Sequence, residues 1–162
     1  MPSLSQKKSD TLQSIDDWKN MTTASTEDFR KWRSSVADSD AGTRINLIRK
    51  GISSHVLVTA SEYFNMPRAQ FAKIIGMSPA TAERKIKSHS LLGPVESERL
   101  ERLAIIEDTT EKVFVNADQA KMWLLRKNLV FGDDTPLSML DTETGAGEVK
   151  KVLASIAYGG AV

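Results

Sequence analysis

From Thr43 onward, apolar side chains recur at the 3.6-residue period of an α-helix, and no stretch alternates as a strand for more than a few residues. Glycines and prolines break that period at several points and mark where individual helices stop. Ile45 and Ile48 start one short helix. Val56, Leu57, Ala60 and Phe64 share a face of the next, which should stop at Met66-Pro67 because the residue before proline disfavours the α region. Phe71, Ile74 and Ile75 mark a third, closed by Gly76. A fourth follows Ser78-Pro79, and a fifth runs from about Pro94 with Leu100, Leu103 and Ile106 inward.

The flanks are read the same way. Residues 1 to about 24 are polar around a short cluster near Ile15 and Trp18, and read as an arm. Ser25 with Asp28 resembles a capping box, with Phe29, Trp32 and Val36 at helical spacing behind it, and Ala37 to Gly42 reads as a linker. Trp32 either packs on the main body or joins a dimer contact. Toward the C-terminus, Asn116 caps a helix with Ala120, Trp123 and Leu124 inward, Trp123 being read as core. Thr135-Pro136 opens a turn through Leu140. Thr142 caps a last helix with Val149, Val152, Leu153 and Ile156 on one stripe.

Composition removes several classes. The chain has 162 residues, 40% of them hydrophobic and 27% charged, within the globular range. It has no cysteine, so disulfides, thiol nucleophiles and cysteine-based zinc sites are unavailable and a reducing cytoplasm is the expected location. No apolar run reaches membrane-spanning length and the start lacks a signal-peptide pattern. His55 and His89 have no second ligand at metal-binding spacing and read as surface or capping residues. The carboxylates at Glu27-Asp28 and from Asp141 to Glu143 sit at helix starts, where the helix dipole explains them. No phosphate loop, nucleophile elbow or zinc-protease motif occurs, so no enzyme, metal or cofactor is expected.

The net charge is only +1, but its distribution is uneven. Arg68, Lys73, Arg84, Lys85 and Lys87 stand against one acid, Glu83, between residues 68 and 87. From Asn128 to Glu148 there are Asp133, Asp134, Asp141, Glu143 and Glu148 with no Lys or Arg. A basic middle followed by an acidic segment points to two different partners.

Phe71 to Ile86 meets the steric requirements of a helix-turn-helix. Ala72 permits close helix approach, Gly76 takes a positive φ in the turn, and Met77 plugs the core. Ser78 caps the second helix with Pro79 at its first position. Ala82 and Ile86 face inward, leaving Ala80, Thr81, Glu83, Arg84 and Lys87 outward and Lys85 at the edge. Such a helix suits the major groove, with Ser78 at its start, Thr81 and Arg84 in reach of bases, and Arg68, Lys85 and Lys87 on phosphates. The alternative is an ordinary helical hairpin with a solvated basic face. At the other end, the final amphipathic helix delivers Tyr158, Gly159, Gly160, Ala161 and Val162, with a free carboxylate, at a fixed point. That is the shape of a narrow plug for another protein's pocket, or else a frayed terminus.

The order of this helix-turn-helix, then Val113-Phe114, Trp123-Leu124, Asn128, Thr135-Pro136-Leu137, Leu140, Thr142-Glu143, Gly145, Glu148-Val149 and Ile156 to Gly159 closely resembles the Xre/MbcA/ParS-like antitoxins, partners of RES-domain toxins. The resemblance runs from about residue 43 to the end and is most specific from Thr135 through Gly159. Ala82 departs from it, since the family more often carries a larger aliphatic residue there. The resemblance implies an all-α, dimeric antitoxin with an N-terminal arm and one short helix (1–42), an Xre-type helix-turn-helix DNA-binding and dimerisation domain (43–108) and a small helical toxin-binding domain (109–162). Its last residues would block the NAD-binding cleft of a NAD-consuming RES-domain toxin, and with that toxin it would repress its own operon. The competing expectation is a stand-alone helix-turn-helix transcriptional regulator whose C-terminal domain merely dimerises.

Overall fold

The computed structural model describes residues 26–159. The expected arm, Ser25 of the expected capping box, and Gly160, Ala161 and Val162 lie outside the described residues. The fold is all-α. Its helices are α1 (Thr26–Ala37), α2 (Ala41–Lys50), α3 (His55–Tyr63), α4 (Arg68–Ile74), α5 (Pro79–Lys87), α6 (Pro94–Phe114), α7 (Ala117–Leu125) and α8 (Glu143–Ala157). Two 3-10 turns, η1 (Leu129–Phe131) and η2 (Ser138–Asp141), lie between α7 and α8. The chain divides into two compact units, with the boundary between Glu101 and Arg102 inside α6.

In the first unit, α3 is the central helix. Every residue from Val56 to Ser61 is buried, so its middle is enclosed on all sides and only Glu62 is exposed. The sequence pattern showed a single apolar face because Thr59 and Ser61 read as polar. Their hydroxyls donate to the carbonyls of Val56 and Val58 at 3.1 and 2.8 Å, which lets both side chains enter the core. Around α3 sits an aromatic cluster in which Phe29 of α1 lies 5.0 Å from Tyr63 and 5.8 Å from Phe64, ring centre to centre. Phe64 in turn stacks on Phe71 of α4. Trp32 is also buried and 6.0 Å from Phe29, so of its two expected placements the structure takes the one on the body of this unit.

The expected linker at 37–42 is shorter than its composition suggests. Asp40 turns its carboxylate onto the backbone N–H of Thr43 at 2.8 Å and so caps α2, which begins at Ala41. This helix buries Thr43 and Leu47, while Ile45 stays at the surface. Three successive helices end in one stop motif. In each, a left-handed residue donates three residues back and its successor donates five residues back. The pairs are Asn65 to Glu62 with Met66 to Ser61, Gly76 to Lys73 with Met77 to Ala72, and His89 to Ile86 with Ser90 to Lys85. Asn65 thus stops α3 ahead of Pro67.

In the second unit, Ala120 and Leu124 of α7, Leu137 and Leu140 around η2, and Ala146, Val149, Val152 and Leu153 of α8 are buried. Asn116 accepts from Gln119 N–H and Thr142 from Gly145 N–H, both at 3.0 Å, so both expected caps form. Gly145 has a steric reason to be glycine: a Cβ there would lie 2.0 Å from the carbonyl oxygen of Met139. Trp123, read as core, is only half-buried. It lies between Phe114 at 5.8 Å and Phe131 at 6.4 Å at the edge of this small core.

His55 is not the plain surface or capping residue its isolation in the sequence suggests. At the start of α3 its Nε2 is buried with no hydrogen-bond partner. Burial lowers its pKa from the usual 6.5, Asp28 and Glu62 oppose that shift, and His89 and Arg68 add to it. The folded state therefore binds this proton less readily than the unfolded chain, and the stability His55 confers is complete above pH 6.5 and lost as pH falls through the lowered value. Urea midpoints should rise from acid toward neutral pH, and His55→Gln should flatten that rise. An unchanged slope would show that His55 is not the responsible group.

Candidate functional site

The first unit carries a complete helix-turn-helix made by α4 and α5. Phe71, Ala72, Ile75 and Met77 are buried beneath it, and Ala82 anchors α5 at 2% exposure. The small side chain at 82 seats α5 directly, and Ile86 completes the inner face half-buried. Gly76 has φ +77°, as the turn requires. Ser78 accepts from Thr81 N–H at 3.2 Å and its hydroxyl lies 2.9 Å from that of Thr81, while Pro79 opens the helix.

A further constraint on Gly76 was invisible in the sequence. The Arg99 guanidinium of α6 lies across the turn and donates to the Ile75 carbonyl at 3.3 Å. A Cβ on Gly76 would fall 1.5 Å from Nη1 of that arginine. Glycine is therefore required twice, for its backbone angle and for the space it leaves. Behind the motif, the segment after α2 meets the segment before α6. Leu92 N–H donates to Ile52 at 2.8 Å, Ile52 N–H to the buried Ser97 hydroxyl at 2.9 Å, and the Ser54 hydroxyl to Lys85 C=O at 2.9 Å.

The six residues expected to meet DNA fall into distinct settings. Arg84 and Lys87 are exposed and, with Ala80, form the outermost line of α5 at i, i+4, i+7. Ser78 and Thr81 sit at the helix start, bonded to each other. Lys85 is half-buried, and its ammonium donates to the Leu91 carbonyl at 3.0 Å, tying α5 to the segment before α6. Arg68 approaches Glu83 of α5 at 3.7 Å with both side chains 45% exposed. Such a surface pair contributes about 0–1 kcal/mol. It holds Arg68 in place too weakly to withhold it from a phosphate. Lys73 is exposed on α4.

The second unit presents Tyr158 at the end of α8, 92% exposed, with Gly159 left-handed at φ +77° immediately after it. Gly159 N–H donates to Ile156 C=O at 3.1 Å, ending the helix there. The direction of α8 is set at its start by a residue the sequence did not single out. Arg102 of α6, 8% exposed, donates to Leu140 C=O at 3.1 Å and to Glu143 at 3.0 Å. The structure also leaves Met122, Leu125, Leu129 and Val130 at the surface of this unit.

The two units make this an all-helical protein in which a helix-turn-helix unit is followed by a second, small helical unit. Residues 43–104 match the Antitoxin Xre-like helix-turn-helix domain, and residues 110–159 match the Antitoxin Xre/MbcA/ParS C-terminal toxin-binding domain. An Antitoxin Xre of Pseudomonas putida is 32% identical over 124 residues, spanning 76% of this chain and 75% of that protein. Antitoxin Xre proteins of Yersinia enterocolitica and Photorhabdus laumondii are 26% and 25% identical over 140 and 130 residues. They cover 85% and 79% of this chain, and 94% and 88% of their own lengths. The chain belongs to the Xre antitoxin family.

Gly76→Ala should destabilise the first unit by about 1–2 kcal/mol from the left-handed backbone alone, and by more while Arg99 occupies the adjacent space. In an Arg99→Ala background the penalty should shrink toward the backbone value, as read in a double-mutant cycle by urea denaturation. Equal penalties in the two backgrounds would remove Arg99 from the explanation.

Proposed function

We propose that this chain neutralises a RES-domain, NAD-consuming toxin by inserting the segment from Tyr158 to Val162 into the toxin's active site, acting by binding and without catalysis. The observation that carries this reading is the end of α8. A packed, capped helix terminates at a left-handed glycine and holds one large aromatic side chain almost wholly in solvent. Tyrosine supplies rigid contact area with a hydrogen-bonding tip, and the following Gly-Gly allows close approach to a cleft wall. The toxin-binding domain match, residues 110–159, takes in Tyr158 and Gly159, the first two residues of this segment.

The same chain, as a homodimer in the cytoplasm, binds and represses its own operon through α5. A two-fold pair of recognition helices reads two half-sites where one reads a single half-site, which is the reason for assigning a homodimer. Ala80 at the exposed helix start leaves room for groove entry, Arg84 and Thr81 reach base edges, and Arg68, Lys73 and Lys87 contact phosphates. Lys85 contributes through its tether to Leu91, which fixes α5.

Co-expression with a RES-domain toxin, with cellular NAD as the readout, tests the first activity. The full chain should preserve NAD, whereas a chain ending at Ala157 should retain the helical circular-dichroism signal and fail to protect. Full protection by the shortened chain would overturn the insertion. Arg84→Glu with Lys87→Glu should abolish retention of DNA from upstream of the chain's own reading frame, yet leave NAD protection intact. A stand-alone regulator would instead show DNA retention sensitive to that pair and no protection by the wild-type chain.

A further inference from the structure

The turn between α7 and α8 holds two large apolar side chains outward on a fixed backbone. Leu129 is 87% and Val130 55% exposed, while the next residue, Phe131, is buried at 7% and meets the edge of Trp123. Asn128 organises the turn. Its side chain accepts from Val130 N–H at 3.0 Å, its carbonyl from Phe131 N–H at 2.9 Å, and its N–H donates to Asp134 at 3.0 Å. Gly132 at φ +66° and Asp133 at φ +71° complete the reversal, and Lys127 lies 3.3 Å from Asp133. The neighbouring charges thus offset each other, leaving an apolar tip.

Single exposed leucines are ordinary on protein surfaces, but this one does not stand alone. Met122 and Leu125, 64% and 37% exposed, share a face of α7 at i, i+3, one short connection before the tip. Four large apolar side chains are therefore left in water between Met122 and Val130, on capped and hydrogen-bonded backbone. A prearranged tip of this kind loses little conformational freedom on binding, which favours a protein partner with an apolar recess.

We propose that the Asn128–Asp134 turn is a second contact with the toxin, separate from the segment after α8, with Leu129 and Val130 as its apolar anchors and Met122 and Leu125 flanking them. The occupant is the toxin because the turn lies wholly within the 110–159 match to a toxin-binding domain. The inference rests on the toxin-neutralising reading above. The turn provides grip on the toxin surface, whereas the segment from Tyr158 onward provides inhibition.

The test is a titration of purified RES-domain toxin, from the host of this chain, against the full chain and two variants, with sedimentation run in parallel. Leu129→Asp with Val130→Asp should weaken the complex by about a hundredfold, and the alanine pair by roughly tenfold. Both variants should keep the wild-type urea midpoint, since neither side chain is in the core. Wild-type affinity in both variants would overturn the second contact while leaving toxin neutralisation standing. Unaltered toxin affinity together with loss of self-association would overturn it in favour of a second copy of the chain. Failure of the wild-type chain itself to bind the toxin would overturn both readings at once.

Discussion

The toxin-binding unit depends on one buried guanidinium. Arg102 reaches from α6 to the carbonyl of Leu140 and to Glu143, and these two contacts fix where η2 ends and α8 begins. Their weights differ. Glu143 is 72% exposed on its side chain, so solvent screens the ion pair. The Leu140 carbonyl is buried, and without Arg102 that oxygen would be left without this donor away from water, a cost of about 1–3 kcal/mol. The Thr142 cap and the close seating of Gly145 against Met139 act on the same corner. Small errors at this corner would be multiplied along the fifteen residues of α8 and would appear as displacement of Tyr158.

The helix-turn-helix unit solves a similar positioning problem by different means. Its second helix, α5, is short, and its orientation comes from its surroundings. Ala82 sits against the core, Lys85 is tethered at Leu91, and Arg99 spans the Gly76 turn. The outward line of Ala80, Arg84 and Lys87 follows from those three fixings by helical period alone. Lysine at position 85 illustrates how charge counting misleads. Its cation adds to the basic tally of the segment, yet the structure uses its ammonium as an internal donor.

What could be read from the sequence was what is local to it. Helical period placed Val149, Val152 and Leu153 in the core, and the caps at Ser78, Asn116 and Thr142 each act on an N–H three residues ahead. Gly76 was legible because a tight turn demands positive φ. Arg99 and Arg102 were not, because their partners lie 24 to 41 residues away and nothing in an amphipathic helix pattern distinguishes a structural arginine from a solvated one. Trp123 was misread toward the core because its stripe is apolar, but a unit this small has too little interior to enclose an indole completely. Asp40 looked like linker composition and is a cap, since the same residue types serve both ends of that distinction. The exposed tip at Leu129-Val130 escaped notice because an apolar pair beside Phe131 reads as core until the 3-10 turn shows which of the three residues points inward.

Both arginines that escaped the sequence reading lie on α6, one serving each unit. Arg99 secures the turn that sets the recognition helix, and Arg102 secures the corner that sets the helix leading to Tyr158. The division between the two compact units passes between them. A helix placed in this way acts through the geometry of the elements it holds, the turn before α5 and the start of α8. The two guanidiniums make a demand that a lysine would not meet. Each arginine donates to a main-chain carbonyl from a planar, forked head, and Arg102 also reaches a carboxylate at the same time. An ammonium reproduces the charge without that geometry. The two compact units thus draw on one structural element, α6, for the donors that fix the Gly76 turn and the start of α8.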